Sequence, residues 1–198
     1  MDGLCCEGEE KFGLLKARIY ALALRWRRAF VQFVVNDILF KNPQSVLDIG
    51  CGPGDILMEL QHHNIKLYGT DPSPHMLELA SKRVRNSAPS AKFSVQLSLG
   101  SSRVIPFDRK FDMIFSSISF HHWKTREENI PYILSRLEND GEFTIYEYDK
   151  DAQSLLRKMI LGKHSLSANE AKDFQFAGYA KTIVHIEPFI IVRFKKIS

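Results

Sequence analysis

A short, mostly apolar run, Ser45–Ile49, leads directly into three alternate glycines in Gly50-Cys51-Gly52-Pro53-Gly54. A run of that length ending in glycine reads as a buried strand. The helical spacing of Ile56–His63 after it makes the segment a strand–loop–helix unit. The unit then recurs. Lys66–Thr70 reads as a strand and Ser73–Val84 as a helix; Lys92–Leu99 and Lys110–Ser116 read as strands. Arg126–Leu137 reads as a helix that Pro131 should kink or start. Asn139-Asp140-Gly141 reads as a turn and Glu142–Tyr148 as a strand. Residues 151–177 read as mostly helical with a break near Gly162, and Lys181–Glu187 and Phe189–Lys196 as a hairpin across Pro188. Strands alternating with helices imply an α/β chain, with a largely parallel sheet covered on both faces.

Composition narrows the class. The chain has 198 residues, enough for one domain with a sizeable core. Apolar residues make up 44% and charged residues 25%, the balance of a globular protein rather than a disordered one. The longest stretch without a charge, Met113–Trp123, is far below the roughly 20 residues of a spanning helix. The first eleven residues hold four acids and no apolar run, which reads as a loose tail rather than a secretory signal. Three cysteines, Cys5, Cys6 and Cys51, make no disulfide framework and show no zinc spacing, so no metal is expected and a reducing cytoplasm is the simplest compartment.

Ligands of open parallel sheets bind beyond the carboxyl ends of the strands. The loop after the first strand leaves backbone bare at Gly50 and Gly52, so a ligand can lie directly on the chain. Its spacing is G-x-G-x-G, not the G-x-G-x-x-G of a dinucleotide loop, which sets aside a nicotinamide-dependent dehydrogenase. Asp48, just ahead of the loop, is poorly placed for a pyrophosphate and well placed for an ammonium group. Asp71 lies 21 residues beyond Gly50 at the end of the second strand, where a carboxylate can accept both hydroxyls of a ribose. It could also merely cap the next helix, because Pro72 follows it. Together the two loops describe a nucleoside that carries positive charge and no phosphate, and S-adenosylmethionine fits that description.

On these residues the chain resembles the class I S-adenosylmethionine-dependent methyltransferases of the small-molecule type, over about residues 40–196. VLDIGCGPG is similar to the family's first motif, YGTDPSPHMLELA to its second and FDMIFSSISFHHW to its fourth-strand motif; LSANEAKDFQFAGY resembles the helix before its final hairpin. The resemblance implies a single Rossmann-like three-layer sandwich. Its sheet would have seven strands, mostly parallel, with an antiparallel last strand. It also implies S-adenosylmethionine as cofactor, held by Asp48, Gly50, Cys51, Gly52, Asp71, Pro72, Met76, Ser101, Ser102 and Ser117. Met76 would lie beside the adenine. The chain departs from the family at Gly100-Ser101-Ser102, where Gly-Asp-Ala is usual, so Ser101 would meet the adenine amino group without charge.

Methyl transfer is an in-line displacement that mainly requires positioning and exclusion of water. His121 and His122 follow the fourth strand, where the family places its acceptor, and either imidazole could take a proton. Trp123 offers an aromatic wall or a core residue. No Asn/Asp-Pro-Pro-Tyr signature of base and glutamine methylation is present, so the expected partner is a small-molecule acceptor. The alternative is a weak or inactive methyltransferase-fold scaffold, with Ser101 as its best support. Residues 12–41 read as an N-terminal helical lid ahead of a methyltransferase domain at 42–198. The stretch Lys11–Asn36 carries six Lys/Arg and no acid. It suits a solvated face or an anionic acceptor; contact with RNA or a membrane surface ranks last.

Overall fold

The computed structural model describes residues 28–87, 94–151 and 165–197. Two compact units divide the chain, residues 1–108 and 109–198. The tail at 1–11 and residues 12–27 of the expected lid lie outside the described residues.

The first unit begins with helix α1 (Arg28–Phe40), whose Phe30, Val31, Val34, Val35 and Ile38 are buried at spacings of three and four. Asn42, left-handed at φ 50°, closes the turn after it, and Asn tolerates that region better than most residues. Then follow β1 (Ser45–Ile49), α2 (Asp55–Leu60), β2 (Lys66–Asp71), α3 (Pro74–Ser87) and β3 (Gln96–Leu99). Strand β1 is buried at every position, which explains why its sequence does not alternate. The three strands run parallel in the order β3-β2-β1, with Leu47 opposite Tyr68 and Tyr68 opposite Gln96. Helices α1 and α2 pack together, and α2 packs on α3. That last approach is close, because a Cβ on Gly54 would lie 3.0 Å from the Ala80 Cβ.

The second unit holds β4 (Phe111–Ser117), a 3-10 turn (Phe120–His122), α4 (Arg126–Ser135), β5 (Leu137–Asp149), β6 (Ser165–Leu166), α5 (Ala168–Asp173), β7 (Tyr179–Ile186) and β8 (Phe189–Lys196). Its strand order is β4-β5-β8-β7, with two-residue β6 beside β5. Strands β4 and β6 run parallel to β5, and β8 runs antiparallel to β5 and β7. The expected antiparallel last strand is therefore present, and β6 adds a short eighth strand to the expected seven. Phe143 stacks on Trp123 and on its cross-strand partner Phe194, and Phe120 meets Trp123 and Phe174 edge-on or tilted. Trp123 is thus core.

Three local expectations are corrected. Helix α4 starts at Arg126 as the spacing predicts, so Pro131 does not mark its start. The hydrogen bond that proline cannot make would reach Glu127, whose exposure lets water substitute. Asn139-Asp140-Gly141 is not a turn but a bulged part of β5, where two steps along β4 (Phe111 to Met113) match five along β5 (Leu137 to Glu142). Gly141 is required there, since a Cβ would sit 2.9 Å from the Phe111 carbonyl oxygen. Of the long helical stretch expected at 151–177, residues 152–164 lie outside the described residues; among the described ones Ser165–Leu166 is strand and Ala168–Asp173 is helix. A reciprocal cap fixes its start: the Ser167 hydroxyl accepts the Glu170 N–H at 3.1 Å, and Glu170 Oε2 accepts the Ser167 N–H at 2.9 Å.

Among the described residues no helix is long and apolar enough to cross a membrane. Gly54 and Gly178 both have positive φ, 77° and 82°, but only Gly54 is crowded. Gly178→Ala should cost about 1–2 kcal/mol, the left-handed strain alone. Gly54→Ala should cost more, through the added contact with Ala80. Urea unfolding of the two variants checks the order; equal losses would show that the α2–α3 approach is slack.

Candidate functional site

In the first unit, the loop after β1 and the turn after β2 are tied together by one side chain. Asp71 Oδ2 accepts the Gly52 N–H at 2.9 Å, and Asp71 Oδ1 accepts the Ser73 N–H at 2.8 Å. The Gly50 and Cys51 N–H groups both donate to the Thr70 carbonyl, at 2.8 and 2.9 Å. Gly50, Gly52 and Gly54 all take left-handed φ, at 78°, 53° and 77°, so the loop's course depends on glycine at these positions. Asp71 therefore does assist the start of α3, as its alternative reading held, while also bracing the glycine loop. A carboxylate offers about four lone-pair sites and these two bonds take one on each oxygen, so hydroxyls of a ligand can still be accepted.

The surroundings are acidic and dry. Asp48 and Asp71 are both buried, and burial together with these two carboxylates pushes the Cys51 thiol well above its usual range. Desolvation lifts the Asp71 carboxyl to about 6, against the pull of the Ser73 and Gly52 N–H groups. A buried place with two acids favours a cation. Met76 is buried in the first turn of α3, its N–H held at 3.4 Å by the Ser73 hydroxyl, and Pro72 is half-buried beside it. Ser101 and Ser102 are buried after β3. The Ser101 hydroxyl accepts the Arg103 N–H at 3.2 Å while its backbone pairs with Val104, so Ser101 is partly a turn residue. The Gly100 N–H reaches the Asp71 carbonyl at 3.3 Å, bringing this third loop to the other two. The first unit thus gathers Asp48, Gly50, Cys51, Gly52, Asp71, Pro72, Met76, Ser101 and Ser102 into one neighbourhood.

Arg83 had no sequence signal. From α3 it donates to the Pro53 carbonyl at 3.0 Å and pairs with the buried carboxylate of Asp55, gripping the glycine loop from behind. Gly69 gives the loop room: a Cβ there would meet Leu57 at 2.6 Å and the Cys51 sulfur at 3.1 Å.

In the second unit, Ser117 is buried at the end of β4. The chain then turns sharply at Ile118, whose φ of 47° is strained for a β-branched residue. An N–H bond from Ile118 to the Tyr146 carbonyl at 2.9 Å and a Ser116–Ser119 hydroxyl bond at 2.7 Å hold the turn. It delivers His121 to Glu147 of β5. Nδ1 of His121 lies 3.1 and 3.2 Å from the two Glu147 oxygens, and the His121 N–H reaches Oε1 at 3.3 Å. Arg126 donates to the His121 carbonyl at 3.0 Å and lies over the Phe120 ring at 4.8 Å. The His122 ring lies against that of His121, centroids 4.0 Å apart and planes tilted by 49°. Glu147 was not singled out from sequence, although a glutamate closing the buried run Phe143–Glu147 is the kind of exception that marks a working residue. Among the described residues, no cluster of His, Cys, Asp and Glu could hold a metal ion.

Residues 46–141 match the family model "Methyltransferase domain". Demethylmenaquinone methyltransferase of Thermotoga maritima is 29% identical over 142 residues, covering 70% of this chain and 57% of that protein. The ubiquinone/menaquinone biosynthesis C-methyltransferase UbiE of Citrifermentans bemidjiense is 29% identical over 128 residues, covering 63% and 52%. The chain thus spans little more than half the length of these relatives. Among solved structures, a candidate S-adenosyl-L-methionine-dependent methyltransferase of Methanococcus maripaludis superposes with a TM-score of 0.77 at 19% identity over 97% of both chains. The plantazolicin methyltransferase BpumL, in complex with SAH, gives 0.71 at 15% identity over 92% of this chain and 90% of that one. The fold is the Rossmann-like one of these enzymes. The chain is similar in sequence and fold to S-adenosylmethionine-dependent methyltransferases.

The raised carboxyl of Asp71 makes a prediction about the ligand-free protein. A carboxyl whose folded value exceeds its unfolded one adds stability at low pH, lost as pH rises from the usual 3.8 through about 6. Relative to Asp71→Asn, wild type should lose up to about 3 kcal/mol over that window and no more above it. Urea midpoints of both proteins from pH 4 to 8 test this; a pH-independent difference would mean that Asp71 is not desolvated.

Proposed function

We propose that the protein is an S-adenosylmethionine-dependent methyltransferase acting on a small-molecule acceptor. One observation carries the reading: the buried Asp71 carboxylate, braced by Gly52 and Ser73, stands at the end of β2 against a glycine loop with bare backbone. When bound, the cofactor supplies a methyl group already activated by its sulfonium. The residues present fit it. Asp71 accepts the ribose hydroxyls, Asp48 favours the methionyl ammonium, and Gly50, Cys51 and Gly52 let the ligand lie on the chain. Pro72 and Met76 pack beside the adenine, and Ser101 and Ser102 meet its polar edge. Ser117, His121 and His122 serve the acceptor side, as the fourth-strand motif suggests. The composition supports a cytoplasmic location.

Small-molecule acceptors are supported by the named activities of the relatives, which act on quinone precursors, and by the absence from the sequence of the amino-methylation signature. Nothing favours a binding-only role: Ser101 keeps a hydroxyl where the family has an acid, and the other loops are intact.

Titration calorimetry with S-adenosylhomocysteine, and NAD as control, tests the reading. Wild type should bind the former alone. Asp71→Ala should weaken binding at least tenfold, about 1.4 kcal/mol. Unchanged affinity in the variant, or no binding by wild type, would sink the proposal.

A further inference from the structure

Helix α3 serves two parts of the first unit at once. Its first turn carries Met76 and is held at its start by Asp71 and Ser73. Roughly 10 Å further along, Ala80, Arg83 and Val84 share one face at spacings of three and four. That face seats the far half of the glycine loop. A Cβ on Gly54 would lie 3.0 Å from the Ala80 Cβ and 3.8 Å from a Val84 methyl carbon. Nη1 of Arg83 donates to the Pro53 carbonyl at 3.0 Å and also pairs with Oδ1 of Asp55, the two side chains being 26% and 9% exposed. Lys82, the neighbouring cation, differs in kind: it pairs with Glu78 of its own helix, and both side chains are 59% exposed.

The two halves of the loop are held by different means. The near half is pinned to β2, by the Gly52 N–H on Asp71 and by the Gly50 and Cys51 N–H groups on the Thr70 carbonyl. In the far half, Pro53 has no N–H to donate. Gly54 caps α2 in a left-handed conformation without a side-chain bond, and its N–H reaches back to the Cys51 carbonyl, inside the loop itself. The Pro53 carbonyl and the Asp55 carboxylate are therefore the handles by which the rest of the unit grips this half, and Arg83 holds both.

We propose that Arg83 is a positioning residue for the cofactor, one that sets affinity for the amino-acid end of the ligand and not for its nucleoside end. The inference rests on the methyltransferase reading above. The nucleoside end meets Asp71 and Met76, whose places are fixed by bonds to Gly52 and Ser73 that do not involve Arg83. The amino-acid end lies on the glycine loop. Without Arg83 the stretch Pro53–Asp55 is free to sample other conformations, and a ligand lying on the loop must order it on binding. With Arg83 the loop is ordered before the ligand arrives.

Calorimetry on the full chain with two probes tests this. S-adenosylhomocysteine has both ends; 5′-methylthioadenosine has the nucleoside and no amino acid. Arg83→Gln should weaken the first about tenfold, the scale of ordering roughly one backbone residue, and change the second less than twofold. One nitrogen makes both Arg83 contacts, so an ammonium group can replace it, and Arg83→Lys should recover at least threefold of the lost affinity. Lys82→Gln should match wild type for both probes. In the ligand-free protein, hydrogen exchange of the Gly54 and Met58 N–H groups should be faster in Arg83→Gln, with the Gly52 N–H unchanged.

Equal weakening of the two probes would show a merely structural role and overturn the inference. So would unchanged affinity for S-adenosylhomocysteine in Arg83→Gln, no recovery in Arg83→Lys, or a wild type that binds S-adenosylhomocysteine but not millimolar 5′-methylthioadenosine, because the nucleoside end would then have no hold of its own. In each of these cases wild type still binds S-adenosylhomocysteine and the methyltransferase reading stands. A wild type that does not bind S-adenosylhomocysteine loses both.

Discussion

The pair of bonds from the Gly52 and Ser73 N–H groups to Asp71 is the constraint on which the first unit's ligand-facing end depends. A loop with three residues at positive φ has little internal hydrogen bonding to hold it. Here it is held from outside. Asp71 fixes its middle, the Thr70 carbonyl takes two of its N–H groups, and Arg83 grips its far side through Pro53 and Asp55. The cost appears in the same side chain, since burial lifts its carboxyl to about 6. A ligand that donates hydroxyls to that carboxylate replaces some of the hydration it has lost, so binding and relief of the buried charge are one event.

Much of this was legible in the sequence because it depends on residue types that few arrangements tolerate. Alternate glycines after a buried strand admit few backbones, and Asp71 follows them at a set distance because β1 and β2 are adjacent and parallel, with Ile49 opposite Thr70. Strand β1 was delimited to the residue for the same reason: its apolar run stops where the glycines begin. The hairpin of β7 and β8 was visible as two strand-like runs on either side of Pro188.

What could not be read was mostly long-range. Glu147 meets His121 across 26 positions of chain, and no local pattern announces that pairing. Arg83 reaches Pro53 from 30 positions away, again with no local pattern to announce it. The bulge at Asn139-Asp140-Gly141 was misread because the same three residue types also make turns; whether they turn or bulge is decided by β4 alongside, through the close approach of Gly141 to Phe111. Pro131 does not mark the start of α4, because its missing bond falls in the exposed first turn, where water can take the partner's place.

Cys51 carries a last consequence. Its sulfur lies within the glycine loop, near two acids, with its proton held well above the usual thiol range. A thiolate is a strong nucleophile and a thiol is a weak one. A loop that cradles an alkylating agent would damage itself if it offered an ionised sulfur. Burial first, and then the two acids that suit the loop to a cationic guest, keep this sulfur protonated, so the proposed cradle would be chemically deaf to its reagent.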